Sequence, residues 1–318
     1  MTGKDRSPLR LEGVGIDGIC AFVPANAVAN DDRIARTTGI AQRRIASPGT
    51  TPVNLCVQAA TRVLADTGAR PDEFGAVIFV SFTQRDRMPC GAAQAQARLD
   101  LPPNVIAFDV SLACSGWGYG LYLAGLLVRE TGRKVLLLDG DVQSAFLDPD
   151  DSTTSPLLAD GGTATIISPR DDEAPPWHFA FAADGVKGDA LRLQDGDHIR
   201  MDGFGVFRFV ATDVVREVRT FMERVDADLP GSADAFVAHQ ANVYMVHQLA
   251  KSLGFDERRT PISCDTLGNL ASASVPTTIA AKSVHGRVLF SGFGGGLSTA
   301  VGLIDISPSC RLSLVHNR

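Results

Sequence analysis

The stretch Ser111-Leu112-Ala113-Cys114-Ser115-Gly116-Trp117-Gly118 lies between two runs of different character. Residues 104–110 (NVIAFDV) are β-rich, and residues 114–130 (CSGWGYGLYLAGLLVRE) are apolar on nearly every side. The second run is too long for a strand and predicts a buried helix opened by Cys114. A strand that passes through small residues into a buried helix is a building unit of α/β folds. Working outward, residues 75–82 (GAVIFVSF) and 134–138 (KVLLL) are continuous apolar runs. They predict strands buried on both faces, and 104–110 is read the same way. Residues 51–68 predict a helix with Thr51 as cap, Pro52 in its first turn and Gly68 as its stop. Leu55, Ala59, Ala60, Val63 and Leu64 form its apolar stripe. Beyond residue 169 the alternation recurs, with helices at 209–225, 241–253 and 277–284 and strands at 234–238 and 287–291. The reading is a duplicated α/β fold. The Pro-rich break at 174–176 separates an N-terminal half, 1–172, from a C-terminal half, 173–318.

Composition narrows the function classes. Of 318 residues, 45% are hydrophobic and 21% charged, an ordinary globular balance that excludes general disorder. Thirty Lys and Arg against 36 Asp and Glu give a net charge of −6, with no long basic run. Nucleic acid and anionic membrane are therefore not expected as main partners. No stretch reaches the roughly 18 apolar residues of a membrane span, and residues 1–18 lack a signal-peptide core. Cys20, Cys56, Cys90, Cys114, Cys264 and Cys310 are scattered without a CxxC pair. A disulfide framework or structural zinc is not expected, and the expected compartment is the cytoplasm.

Four short motifs carry candidate chemistry. Cys114 opens the predicted helix, where the positive end of the macrodipole favours a thiolate. The same position also suits a small buried hydrophobe. His239, in Val237-Ala238-His239-Gln240-Ala241-Asn242, stands where a strand hands over to a helix, a common place for site residues or for a packed histidine. His247, eight residues on, is not at metal-ligand spacing. Asn269, in LGNLASASVP (267–276), offers an amide to a carbonyl oxygen or makes a turn. GFGGGL (292–297) provides backbone N–H groups but lacks the Lys-Ser/Thr continuation of a phosphate loop. A fifth motif is a false lead. Gly13-Val14-Gly15-Ile16-Asp17-Gly18 matches the dinucleotide pattern, but the residues after it are β-like and end at Pro24, so no helix N-terminus follows. These glycines read as a turn between two strand segments.

Their order along the chain is more telling than any one motif. ACSG at 113–116, Asp160-Gly161-Gly162, Met201-Asp202-Gly203 with Phe207, HQAN at 239–242, GN–ASAS–VP at 268–276 and GFGGGL at 292–297 occur in one sequence. In this the chain resembles the β-ketoacyl-acyl-carrier-protein synthase III family of the thiolase superfamily, over nearly its whole length. The resemblance implies a thiolase-like duplicated fold, five-layered α-β-α-β-α, usually a homodimer. It implies that Cys114 is acylated, with the N–H groups of Cys114 and Gly295 as oxyanion hole. His239 and Asn269 would stabilise the enolate left when a malonyl thioester loses CO2. Met88, Trp117, Gly203, Phe207, Asn242 and Phe293 would bind substrate, Met88 by reaching into the partner's acyl pocket. No cofactor or metal is implied; the substrate is an acyl thioester of a carrier protein or of coenzyme A, and an acyl carrier protein is the implied partner. The alternative is an acyltransferase that passes the group from Cys114 to a hydroxyl or amine of a small molecule.

Departures from the family pattern point to specialised metabolism, polyketide or fatty-acid in type. Between Asn30 and Thr38 the chain is shorter and lacks a Trp that stacks on adenine. Thr37 and Ser152 stand where the family has Arg contacts to the nucleotide. Tyr244 replaces a basic residue after HQAN, while Lys251 remains on that helix as a carrier-protein contact.

Overall fold

The apolar runs pair into two sheets. The computed structural model describes residues 7–171, 173–194 and 197–316. Its main strands are β1 (Leu9–Leu11), β2 (Val14–Val23), β3 (Phe74–Val80), β4 (Ile106–Val110), β5 (Lys134–Val142) and β6 (Asp160–Pro169). They continue with β7 (Trp177–Ala183), β8 (Ala235–Ala238), β9 (Gly286–Gly294), β10 (Ser298–Ile306) and β11 (Arg311–His316). A six-stranded sheet has the order β11-β2-β6-β5-β3-β4, and a five-stranded sheet the order β1-β7-β10-β9-β8. Each sheet takes one edge strand from the far end of the chain. β1 pairs with β7, and β11 runs parallel to β2. The two sequence halves are therefore laced together at both ends. The boundary residue 172 lies outside the described residues, as do 1–6, 195, 196, 317 and 318.

Helices complete five layers. Helix α1 (Pro52–Thr67) covers the outer face of the six-stranded sheet. Helices α2 (Gly116–Thr131) and α5 (Ser274–Ala281) lie between the sheets and touch both. Helices α3 (Val215–Val225) and α4 (Val243–Ser252) cover the outer face of the five-stranded sheet. The thiolase-like α-β-α-β-α arrangement is thus present. Helix α1 is set by its ends: Thr51 and Asn54 form a reciprocal cap, and Gly68 closes it at φ 71°. Among the described residues no helix is long and apolar enough to cross a membrane.

The central helix fits because of two glycines. A Cβ on Gly118 would stand 2.6 Å from the Ala300 Cβ of one sheet. A Cβ on Gly120 would stand 2.7 Å from Leu137 Cδ1 of the other. Between them Trp117 fills the middle of the core, edge-on to Phe290 at 5.1 Å, with its indole N–H donating to Thr165 Oγ1 at 3.3 Å.

Several local expectations change. β4 is an edge strand with Ile106 43% exposed, so it is not buried on both faces. Only Gly13 turns the chain, at φ 69°, and β2 continues through Gly15 and Gly18 with a register shift against β6 between Ile16 and Gly18. Asp160-Gly161-Gly162 opens β6, and Gly292 to Gly294 complete β9. The helix expected at 277–284 spans Ser274–Ala281 instead. Glycines in these strands keep extended backbone because helices and neighbouring strands press against them, a tertiary effect that local propensity does not register.

Gly118→Ala should cost about 1–3 kcal/mol by overpacking against Ala300, despite alanine's better helix propensity. Gly185→Ala, where the space is open, should stay within about 0.5 kcal/mol. Urea unfolding midpoints of the two variants check this; equal midpoints would show that the sheet moves away freely.

Candidate active site

Both halves contribute to one cavity of about 1080 Å3, lined among others by Cys114, His239, Asn242, Asn269, Phe293 and Gly295. Cys114 sits in the turn between β4 and α2, where the Gly116 N–H donates to the Ala113 carbonyl at 2.7 Å. The end of β9 passes directly behind it. A Cβ on Gly294 would stand 2.8 Å from the Cys114 Cβ and 2.9 Å from its Sγ, so only glycine fits there. Ser115 Oγ and Ser298 Oγ, 2.7 Å apart, tie this turn to the glycine loop, and Ser298 Oγ also donates to the Gly295 carbonyl at 3.0 Å.

Helix α2 begins at Gly116, so Cys114 precedes the helix instead of opening it. Its thiol is not poised as a thiolate in the resting protein. Burial pushes it from 9.0 up to about 12, Asp141 and Asp139 add to this, and the N–H groups of Cys114 and Gly295 oppose it. That displacement corresponds to about 4 kcal/mol. A helix dipole supplies about 0.3–1 kcal/mol, so burial outweighs it.

His239 follows β8, and its N–H extends the ladder to the Ser291 carbonyl at 2.7 Å. Its imidazole is buried, meets Phe293 edge-on at 5.3 Å, and has no hydrogen-bond partner for Nδ1 among the described residues. Burial lowers its pKa from 6.5 to about 4, opposed by the backbone of Ala271. The ring is therefore neutral at pH 7. Asn269 is held by its main chain: its N–H donates to Leu157 O and its carbonyl accepts from Ala159 N, both at 2.9 Å. Its Oδ1 accepts from Ala271 N at 2.9 Å, which leaves the amide hydrogens as the groups it can offer a ligand. Asn242 caps α4 through its side-chain oxygen, 2.8 Å from Met245 N, and its amide hydrogens are likewise left over.

The comparisons with known proteins agree with this geometry. A family model for 3-oxoacyl-[acyl-carrier-protein] synthase III matches residues 108–185, and the model for its C-terminal domain matches residues 229–306. A β-ketoacyl-[acyl-carrier-protein] synthase III from Streptomyces coelicolor is 31% identical over 306 residues, 90% of this chain and 92% of its own. The chain belongs to the β-ketoacyl-acyl-carrier-protein synthase III family. A solved 3-oxoacyl-(acyl-carrier-protein) synthase from Burkholderia xenovorans superposes with a TM-score of 0.92 at 32% identity, covering 98% of this chain and 99% of that one. The priming β-ketosynthase of a polyketide biosynthetic pathway superposes with a TM-score of 0.85 at 28% identity, covering 96% and 99%.

Among synthase III candidates for substrate contact, the placements differ. Gly203, Asn242 and Phe293 line the cavity. Trp117 does not: it is 1% exposed and locked into the core by Phe290 and Thr165. Its neighbour in sequence, Cys114, faces the cavity, but three residues along a turn and helix point Trp117 elsewhere. Phe207 lies outside the lining and is 40% exposed, while Val206 beside it does line the cavity. Met88 is 91% exposed and is not part of the lining of its own chain.

Three polar residues were missed. Asp139, Asp141 and Gln143 alternate along and just past the end of β5, and all are buried. Asp141 accepts from Ser81, Phe82 and Thr83, and burial raises its pKa to about 7. Asp139 accepts from Ser272, in the Asn269 loop, and burial raises its pKa well above the usual carboxylate range. Gln143 Nε2 donates to Ala159 O at 2.6 Å and to Asn269 O at 2.8 Å. The signal was available: polar residues at a spacing of two inside an apolar strand lie on one face.

Because folding lowers the His239 pKa, the unfolded chain binds its proton first, and this residue's share of stability falls as pH drops from about 6.5 towards about 4. From pH 7 to pH 5 wild type should lose about 2 kcal/mol more than His239→Gln. Urea unfolding of both proteins at the two pH values measures it, since the carboxylates and the other histidines contribute equally to each. An equal loss would mean that the imidazole is protonated in the fold.

Proposed function

We propose that this protein is a decarboxylating condensing enzyme. It acylates Cys114 and extends the acyl group with a malonyl thioester to give a β-ketoacyl thioester. The observation that supports this best is the convergence of Cys114, His239, Asn269 and Gly295 on one cavity. In the first step Cys114 Sγ adds to the thioester carbonyl. The oxyanion takes the N–H groups of Cys114 and Gly295. The leaving pantetheine sulfur receives the proton that Cys114 loses, so the exchange is proton-neutral. This matters for a thiol held near 12, because no free thiolate has to accumulate.

In the second step the malonyl carboxylate leaves as CO2, and the electron pair moves into an enolate. The Asn269 amide and the neutral His239 imidazole, through Nε2–H, donate to its oxygen. The enolate carbon then attacks the acyl-Cys114 carbonyl, and Cys114 departs and takes up one proton. An acyltransferase acting on a hydroxyl or amine would use the same acyl-Cys114. His239 could serve it as the base for the incoming hydroxyl or amine, but it forms no enolate for the Asn269 amide to stabilise, so Asn269 favours condensation, and release of CO2 separates the two readings.

The partner in this reading is an acyl carrier protein, as the names of the relatives suggest, and the assembly is a homodimer. The exposure of Met88 and of the edge strand β4 supports a face covered by a second copy. No cofactor enters the reaction.

Cys114→Ala should abolish acylation, and Asn269→Ala should still load acyl groups but condense about 10²–10³-fold more slowly. Intact-protein mass spectrometry follows loading, and CO2 release follows condensation. An acyl adduct on Cys114→Ala, or an equal fall in both steps for Asn269→Ala, would defeat this division of roles.

The donor is expected to be a carrier-protein thioester in preference to its coenzyme A counterpart. Thr37 Oγ1 is spent on the helix carbonyls of Arg33 and Ile34 at 3.0 and 3.2 Å, and Ser152 is an exposed short side chain. Neither replaces an Arg–phosphate contact, whose loss costs on the order of 1–3 kcal/mol. Lys251, exposed in the last turn of α4, serves carrier docking without touching a nucleotide. The ratio of kcat/KM for one acyl group on both donors decides it, and equal use of the coenzyme A ester would refute the preference.

A further inference from the structure

Gln143 occupies an unusual place for an amide. It is 2% exposed and lines the cavity together with the apolar Phe82, Phe146, Leu157 and Leu158 and with polar residues such as Gln84 and Thr153. Its orientation is fixed by chemistry. The side-chain atom near Ala159 O and Asn269 O, at 2.6 and 2.8 Å, faces two carbonyl oxygens and must be the amide nitrogen. Both of its hydrogens are then used. Oε1 accepts no hydrogen bond from any described residue, so its acceptor capacity is open to the cavity.

The position of that oxygen relates it to the reaction. Gln143 Nε2 holds the main-chain carbonyl of Asn269, and Asn269 shares the cavity with Cys114 and His239. Oε1 belongs to the same small amide group and faces the cavity that Cys114, His239 and Asn269 also line, which is the space open to an acyl group on Cys114. A plain alkyl chain in that space displaces water from Oε1 and gives nothing back. The acceptor is then buried and unpaired, which is unfavourable. An acyl group with its own donor at that height satisfies it.

We infer that Gln143 is a specificity-determining residue, and that the preferred acyl group carries a hydrogen-bond donor, a hydroxyl or an amide N–H, within the first carbons beyond the thioester carbonyl. This inference rests on the acyl-Cys114 reading above. It makes the enzyme a primer of hydroxylated or amide-bearing chains. The reaction class that feeds it is then one that leaves a hydroxyl or an N-acylated amine on a short acyl thioester.

The test reads loading, not condensation, so that any effect of Gln143 on Asn269 stays out of the result. Butyryl, 3-hydroxybutyryl, 4-hydroxybutyryl and N-acetyl-β-alanyl thioesters of N-acetylcysteamine are offered to the full-length protein, and acylation of Cys114 is timed by intact-protein mass spectrometry. Wild type should load at least one donor-bearing group about tenfold faster than butyryl, and Gln143→Leu should bring the ratio to one or below. Gln143→Met, close in length and unable to accept strongly, serves if the Leu variant does not fold. A ratio of two substrates on one sample is also independent of the fraction folded. Equal loading of all four groups by wild type, or a preference unchanged in the variants, would overturn the inference and assign Oε1 to water. A protein that no thioester acylates, while iodoacetamide still alkylates Cys114, would instead overturn the acyl-Cys114 reading and this inference with it.

Discussion

Two buried main-chain hydrogen bonds join the halves at the cavity. Asn269 N–H donates to Leu157 O, and Ala159 N–H donates to Asn269 O, each at 2.9 Å. The Cys114 turn comes from the first half of the chain, while His239, Asn269 and the glycine loop come from the second. Neither half contains a complete site. Backbone groups at this depth cannot exchange their partners for water, so losing one bond strands a donor or acceptor at a cost of about 1–3 kcal/mol. The Ser115–Ser298 contact forms a second clamp on the other side of Cys114. The lacing of β1 and β11 into opposite sheets keeps the halves from sliding, and the cavity keeps its shape as a consequence.

That shape creates the electrostatic problem the site has to solve. Asp139, Asp141 and Cys114 share one water-poor region, where each ionised group disfavours the next. Burial raises Asp139 well above the usual carboxylate range, puts Asp141 at about 7 and puts the Cys114 thiol at about 12. Burial thus disfavours negative charge in the resting site, and His239 adds no positive charge. Charge has to appear at the reacting atoms only, and move on at once. The N–H groups of Cys114 and Gly295, the proposed oxyanion hole, bear on the thiol without bringing a full positive charge, and the glycine loop supplies one of them where a basic side chain does not stand.

Much of this was legible in the chain itself. The order of the motifs around Cys114, His239, Asn269 and Gly295 identified the family, and Thr51 with Gly68 marked the ends of α1 to the residue. Other features depended on partners far away in sequence. β1 is three residues long and forms only because β7 offers it an edge. The exposure of β4 depends on its rank in the sheet, which apolar content does not encode. Trp117 follows the nucleophile motif by three residues, and only the packing of α2 between two sheets shows that it fills the core. The spacing of Asp139, Asp141 and Gln143 was readable, but an apolar strand invites attention to its hydrophobic residues and not to its interruptions.

Ala271 brings the two proposed enolate donors under a single control. Its N–H fixes the Asn269 amide at 2.9 Å, and its backbone also acts on the His239 imidazole. It meets both by adopting φ 50°, in the left-handed region that a residue with a Cβ enters at a cost of about 1–2 kcal/mol. The strain is held in place from below, where Ser272 bonds the buried Asp139 and a Cβ on Gly116 would stand 3.3 Å from that of Ser272. The start of α2 at Gly116 therefore leaves room for the loop that carries Asn269. His239 and Asn269 are not two independent groups that happen to face one cavity. One strained peptide, clamped between β5 and α2, sets them relative to each other and to Cys114.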